Sequence, residues 1–382
     1  MHSEAALFGT LTLTSLYKIR LRGGDGAQSE EMVEVRGFKE RVSTALEQRR
    51  NTSMLDSGDA MAALHMVSAV LFDGGTSAEW DQFLDIAKAY VAQHPVVTMK
   101  SWHSSPVMEG SSSTALAARS GNAPTTMVDK KTQFIIKTVA WFDVIGSVTM
   151  RRTPFFLDTY RELFGRQGGA AMERIMGCNE KVLLAIAETA ALAAWRRDEE
   201  EKGTLNFMKL AKRAGEIEEI LSFTGPLDNG AGFTEYWGMD EARAEQERQA
   251  RTVRLVSNVF RATGRLYLHT VVSQCNPDVQ DIKVAVQSTI EAFKALQASD
   301  FDRSLVFPIT LAGCMTDNKD YRGYLEGRLL QLGPKGQAVG NSGSCLKLMQ
   351  AVWKKRDQQL TGPRIFDWID TMNDLGWCLL LV

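Results

Sequence analysis

The sequence predicts an all-α fold: a single large helical array of antiparallel helix pairs around one buried central helix. Apolar residues recur at steps of three and four through most segments, the spacing of one helix face. The run from Phe134 to Met150 is apolar on almost every side. Such a helix is either buried in a large core or crosses a membrane. Lys137 and Asp143 interrupt it, and it falls short of the roughly 20 clean apolar residues a span needs. The run therefore reads as the core helix, and no membrane association is expected. The third observation is that no two alternating segments offer each other a strand partner.

Taken in order, residues 4–21 are the least clear. The alternation over 10–14 would suit a strand, but everything downstream is helical, so a helix is predicted. Gly23-Gly24-Asp25-Gly26 reads as a turn, and Ser29 as the cap of a helix carrying Met32, Val35, Phe38, Val42 and Leu46 on one stripe. Asp59–Phe72 is an apolar helix closed by Gly74-Gly75. Thr76 with Glu79 fits a capping box ahead of Trp80, Phe83, Leu84, Ala87, Tyr90 and Val91. Residues 96–127, rich in serine and glycine, read as a mobile surface loop within the domain.

The central run follows. Arg151 and Arg152 stop it, and Pro154 disfavours helix at Thr153. A helix is predicted over Leu157–Gly165, then a short loop at Gly177-Cys178-Asn179, whose Asn179 or Cys178 caps an alanine-rich run ending at Trp195. Asp198–Gly203 reads as a solvated helix end. Leu205–Leu221 is amphipathic, with Phe207, Leu210, Ala214, Ile217 and Leu221 inward, and 224–232 is a flexible connection. Asp240–Val272 could be one long helix. Asn276-Pro277 supplies a cap and a first-turn proline for a helix reaching about Leu296. Phe307–Cys314, Leu325–Leu330, Leu346–Lys355 and Phe366–Met372 complete the set, with a loop over 333–343. The tail Trp377–Val382 is too apolar to remain in water and should dock on the core.

The chain has 382 residues, 44% hydrophobic and 24% charged, ordinary values that suit one domain over 1–382. A formal net charge of −2 speaks against gripping DNA through its own surface. Met1-His2-Ser3-Glu4 lacks the basic start of a signal peptide. Five widely spaced cysteines suit a reducing compartment better than a disulfide framework.

The familiar chemistries fail on spacing. Cys178, Cys275, Cys314, Cys345 and Cys378 contain no C-x-x-C pair, so no metal site is expected and the cysteines read as small core residues. The five histidines include no i, i+4 pair, and His269, within Leu266-Tyr-Leu-His-Thr, reads as a core residue rather than a base. Gly340-Asn341-Ser342 lacks the lysine a phosphate loop requires, and Asp198-Glu-Glu-Glu201 is a polar helix end rather than a metal motif. No enzyme and no cofactor are expected. Asp143 is the most informative position, because a carboxylate inside an apolar helix must be paired or hydrogen-bonded. A structural tie is the favoured reading. The alternative is an effector pocket drawn from Trp141, Phe142, Asp143, Met150 and His269.

Several of these residues also carry a family resemblance. Trp141-Phe142-Asp143, Arg152-x-Pro154-Phe155 and Met176-Gly177-Cys178-Asn179 resemble the fungal-specific transcription factor domain. The similarity continues in Tyr267–Val272, in Phe307–Cys314, in Met349-x-x-Val352-Trp353 and in Asp367-Trp368. That domain is the helical regulatory part of fungal zinc binuclear cluster regulators. The resemblance implies a nuclear, non-enzymatic domain that controls transcription through a small effector or co-regulator proteins. DNA would be reached only through a zinc cluster module not present in this chain. A helical protein-binding scaffold without an effector is the second reading, and an unrecognised helical enzyme the third.

Overall fold

The computed structural model describes residues 4–22, 30–52, 55–94, 129–164, 172, 176–222, 241–298, 300–333, 339–359 and 365–382. Among them are fourteen α-helices, one 3-10 turn and no strand. The helices are α1 (Glu4–Leu21), α2 (Glu30–Thr52), α3 (Ser57–Phe72), α4 (Glu79–Ala92), α5 (Lys130–Met150), α6 (Leu157–Phe164) and α7 (Glu180–Glu201). They continue with α8 (Phe207–Ser222), α9 (Glu241–Ser273), α10 (Gln280–Ala295), α11 (Val306–Cys314), α12 (Lys319–Leu330), α13 (Ser342–Gln358) and α14 (Trp368–Asp374). No described helix is long and apolar enough to cross a membrane.

The ambiguous opening segment is α1. It is helical because its small and apolar positions, Ala5, Gly9, Thr12, Leu16 and Ile19, fall on one face against α2 and α3. The threonines that suggested a strand return their hydroxyls to carbonyls one turn back, as Thr12 does to Phe8 at 2.8 Å. The central helix is α5. Every residue from Ile135 to Thr149 is buried, with α3 and α4 on one side and α7 on the other. Asp129 caps it, accepting from the Thr132 amide at 2.7 Å, and Arg151 ends it in the left-handed conformation at φ 48°. From α7 the packing passes to α8 and α9, then through α11 to α13 and α14.

Close approach fixes the crossing of α4 and α5. A Cβ on Gly146 would lie 2.9 Å from the Trp80 ring, so only glycine fits without a shift. The tail docks at the same place. Trp80 Nε1 donates to the Cys378 carbonyl at 2.8 Å, and the Cys378 amide donates to the Thr76 carbonyl at 2.8 Å. Leu379, Leu380 and Leu381 are buried, as the composition of the tail requires.

Several local expectations need correction. Thr76 and Glu79 form no capping box: the Thr76 carbonyl serves the tail, and Ser77 Oγ accepts from the Glu79 amide instead. The capping box lies one helix earlier, where Asp56 accepts from the Gly58 and Asp59 amides and Asp59 answers at the Asp56 amide. Asn276-Pro277 does not start α10. Asn276 closes a turn on the Asp278 amide at 3.0 Å, and the helix begins three residues after Pro277, at Gln280. Phe207 is 70% exposed because it stands in the first turn of α8, before that helix meets its neighbours. The loop expected over 333–343 is shorter than predicted, since α13 already starts at Ser342. Asn179 does cap α7, accepting from the Lys181 amide at 3.0 Å. The segments 96–127 and 224–232, the turn at 23–26 and Ser29 lie outside the described residues.

Candidate functional site

Asp143 is fully buried on α5 and its carboxylate has four donors. The Phe155 and Phe156 amides reach it at 3.1 and 3.2 Å, the Tyr160 hydroxyl at 3.0 Å and Lys88 Nζ at 3.2 Å. Burial, then the neighbouring Asp143 charge, push the Tyr160 hydroxyl well above its ordinary pKa and keep it a donor. Ser147 Oγ donates to the Asp143 carbonyl at 2.6 Å. The arrangement ties α4, α5 and the 151–156 turn into α6, and it leaves no oxygen facing a void.

The other four residues named from the sequence point elsewhere. Trp141 stacks edge-on against Phe260 of α9, with centroids 5.3 Å apart. Phe142 is buried in the main core. Met150 Sδ meets the Cys378 thiol at 3.2 Å beneath the tail. His269 is half-buried on α9. Consecutive helical positions project about 100° apart, so Trp141, Phe142 and Asp143 do not line one wall.

Their flanking residues do line a cleft. A cavity of about 350 Å³ opens where α7, the C-terminal ends of α5 and α9, and the N-terminus of α14 meet. Arg151, one residue past Met150, holds Asp367 at 2.7 Å and Asp370 at 2.8 Å, clasping the end of α5 to the first turn of α14. Burial lowers the Arg151 pKa, but Asp367 and Asp370 outweigh it and hold it raised, so the guanidinium stays charged. Arg196 of α7 caps α9 by donating to the Val271 and Val272 carbonyls, and it pairs with Glu200 at 2.7 Å. Tyr267, Val271, Trp368 and Ile369 supply apolar wall.

Tyr267 stands out within that wall. It is 3% exposed, packs edge-on against Phe307, and its hydroxyl has no hydrogen-bond partner. Burial raises its pKa, and the groups that also act on it, Arg151, Asp367 and Cys275, all line the cleft. The hydroxyl therefore stays protonated, enclosed by protein rather than open to the cleft. Cys275 offers no reactive thiolate: burial pushes it well above the usual thiol value, and it donates to Asp367 at 3.5 Å.

Sequence reasoning missed Arg151, Arg196, Tyr267 and Asp367 as one group, because three helix ends distant in sequence build it. The available signal was the pair of arginines that ends the apolar run. Two of the remaining thiols, Cys314 and Cys345, are buried and pushed up to about 12 by desolvation. Among the described residues no cluster of histidine, cysteine and carboxylate side chains is arranged to hold a metal.

Comparison with known proteins assigns the family. The whole chain, residues 1–382, matches the fungal specific transcription factor domain. It is 28% identical over 250 residues to the trichothecene biosynthesis transcription regulator TRI10 of Trichoderma arundinaceum, covering 65% of this chain and 54% of that protein. It is 25% identical over 248 residues to the ustiloxin B cluster transcription factor ustR of Aspergillus flavus, covering 63% and 41%. With the transcriptional regulatory protein pro1 of Neurospora crassa it shares 21% identity over 278 residues, covering 66% and 38%. The chain thus spans about half the length, or less, of the curated relatives it matches. No solved structure matches it. Family and relatives are transcription regulators rather than enzymes, and this chain belongs to the fungal-specific transcription factor domain family.

Proposed function

We propose that this chain is the regulatory body of a nuclear transcription regulator, and that it sets the output of a DNA-binding module outside these residues by answering a small effector at the clasp cleft. The observation that carries this reading is the whole-length family match on a chain with a net charge of −2, a charge unsuited to gripping phosphate directly. The position of the cleft supports the effector. A ligand held between α7, α9 and α14 would bear on the Arg151 clasp and, through α5, on the Asp143 tie. It can shift the output only by as much as it prefers one arrangement of those helix ends over another.

Control through a co-regulator protein has its own support. Phe155 is 64% exposed at a groove of about 590 Å³ shared with Phe156, Trp195 and Arg213. An exposed aromatic beside half-buried ones at a groove suits the anchor of a protein contact.

The test is to tether residues 1–382 to an unrelated DNA-binding module upstream of a reporter. Output raised or lowered relative to the module alone is expected. Output identical to the module alone would remove the regulatory reading.

A further inference from the structure

We infer that the groove beside Phe155 docks an acidic segment of a partner protein, whose apolar side chains seat against Phe155 and Trp195 while its carboxylates meet Lys209 and Arg213. The inference rests on the co-regulator reading and adds the chemistry of the partner.

The first support is exposure. Among the described residues Met208, Phe207 and Phe155 are the three most exposed large hydrophobic side chains, at 81, 70 and 64%. Phe155 walls the groove, and Phe207 and Met208 immediately precede Lys209, whose ammonium stands 5.3 Å from the centre of the Trp195 ring. The first turn of α8 therefore borders the groove. Large apolar side chains grouped in water mark a contact surface. The groove also has length. Past Arg161 and Arg213 it continues into a second hollow of about 290 Å³ walled by Leu192, Ile217 and Ile220. Two joined apolar hollows suit successive anchors of a peptide rather than one compact ligand.

Charge selects the partner. Arg161 is committed to Asp158 at 2.9 Å and to Glu188 at 2.5 Å, so those three groups offer an incoming segment little. Arg213 and Lys209 differ. Each lies over the Trp195 ring, at 4.7 and 5.3 Å, and neither is paired with a carboxylate among the described residues. Both heads are therefore free to take charge-assisted hydrogen bonds from a carboxylate. Glu216 walls the second hollow, which places the partner's acidic residues at the Trp195 end. A basic segment would meet the two free cations. A second copy of this chain, paired about a two-fold axis, would bring Lys209 and Arg213 against their own counterparts. An acidic segment meets neither obstacle.

Three synthetic peptides of equal length test this, each titrated into the whole chain by fluorescence anisotropy. One intersperses aspartate with phenylalanine and leucine, the second carries asparagine for aspartate, and the third carries lysine for aspartate. The aspartate peptide is expected to bind about tenfold more tightly than the asparagine one, the worth of two surface ion pairs near the top of their usual range, and the lysine peptide least tightly. Lys209→Glu with Arg213→Glu should reverse that order. Phe155→Ala truncates an exposed side chain and keeps its amide on Asp143. It should weaken the aspartate and asparagine peptides alike, by about tenfold. Thermal unfolding of each variant separates lost docking from lost folding. A lysine peptide as tight as the aspartate one, binding that ignores Phe155→Ala, or no binding by any peptide would each overturn the inference. So would a dimer of the free chain, seen by sedimentation, that Phe155→Ala dissociates. The regulatory reading fails by a different result, a tethered chain without effect on its reporter, so the two failures are separable.

Discussion

Asp143 of the central helix and Lys88 of α4 form an ion pair of 3.2 Å in which neither side chain meets solvent: their exposures are 0% and 4%. Pairs of this kind are costly to desolvate, and they persist when hydrogen bonds satisfy what the partner charge does not. Here two backbone amides and the Tyr160 hydroxyl complete the carboxylate. Asp143→Ala should therefore cost about 3–5 kcal/mol, since it strands two amides and leaves the buried Lys88 ammonium only the longer contact to Asp85 at 3.5 Å. Asp143→Asn keeps the shape and some of the bonding and should cost less. Adding Lys88→Met to Asp143→Ala should recover part of the loss, because the stranded charge goes with it. Chemical denaturation of wild type, the two Asp143 variants, Lys88→Met and the double variant gives the comparison, and strictly additive single and double costs would contradict a coupled tie.

The docked tail makes a second test. Leu380 is fully buried and lies 3.5 Å from where a Cβ on Gly146 would stand. Leu380→Ala should cost about 2–5 kcal/mol, the range for truncating a core leucine. An unchanged denaturation midpoint would mean that the tail is not part of the core.

Alkaline pH should weaken the fold through buried thiols. Burial raises Cys314 and Cys345 from 9.0 to about 12. Between those values the unfolded chain has lost the proton and the folded one keeps it, so the unfolded state binds fewer protons and stability falls as pH rises. The contribution is whole below pH 9 and lost progressively toward about 12, at up to about 1.4 kcal/mol per pH unit for each thiol. Cys314→Ala with Cys345→Ala should flatten that slope in a denaturation series, and a slope equal to wild type would count against buried, protonated thiols.

Arg151 combines an unfavourable backbone with a favourable side chain. At φ 48° a non-glycine residue gives up about 1–2 kcal/mol, so Arg151→Gly relaxes the turn while removing the clasp to Asp367 and Asp370. Net stability should change little, but amide exchange over 368–374 should quicken as α14 loosens. Exchange in α14 identical to wild type would show that the clasp does not hold it.

What was legible in the sequence follows from what each feature depends on. Periodicity and composition alone specify α5, the docking of 377–382 and the burial of Cys178, Cys275, Cys314 and Cys345, because each is a matter of apolar area. Asp143 was recognisable as a tie since any buried carboxylate needs partners, but Lys88 was not identifiable among many cations. Caps were less legible. Thr76 and Asn276 have the right chemistry for caps, yet tertiary contact with the tail and a local turn claim them first. The clasp cleft was least legible, because Arg151, Arg196, Tyr267 and Asp367 meet only through the crossing of helices remote in sequence.

The central claim is that this cleft is where the chain is controlled, and filling it is the most direct test. Ala193 lines the cleft from α7 and is only half-buried, so Ala193→Trp can fill the space from the rim. The measurement is reporter output from the tethered chain carrying Ala193→Trp, compared at equal abundance and with thermal unfolding measured on the same variant. The account predicts an output that departs clearly from wild type with a melting temperature within a few degrees of it. Output equal to wild type from a folded, plugged protein would contradict it.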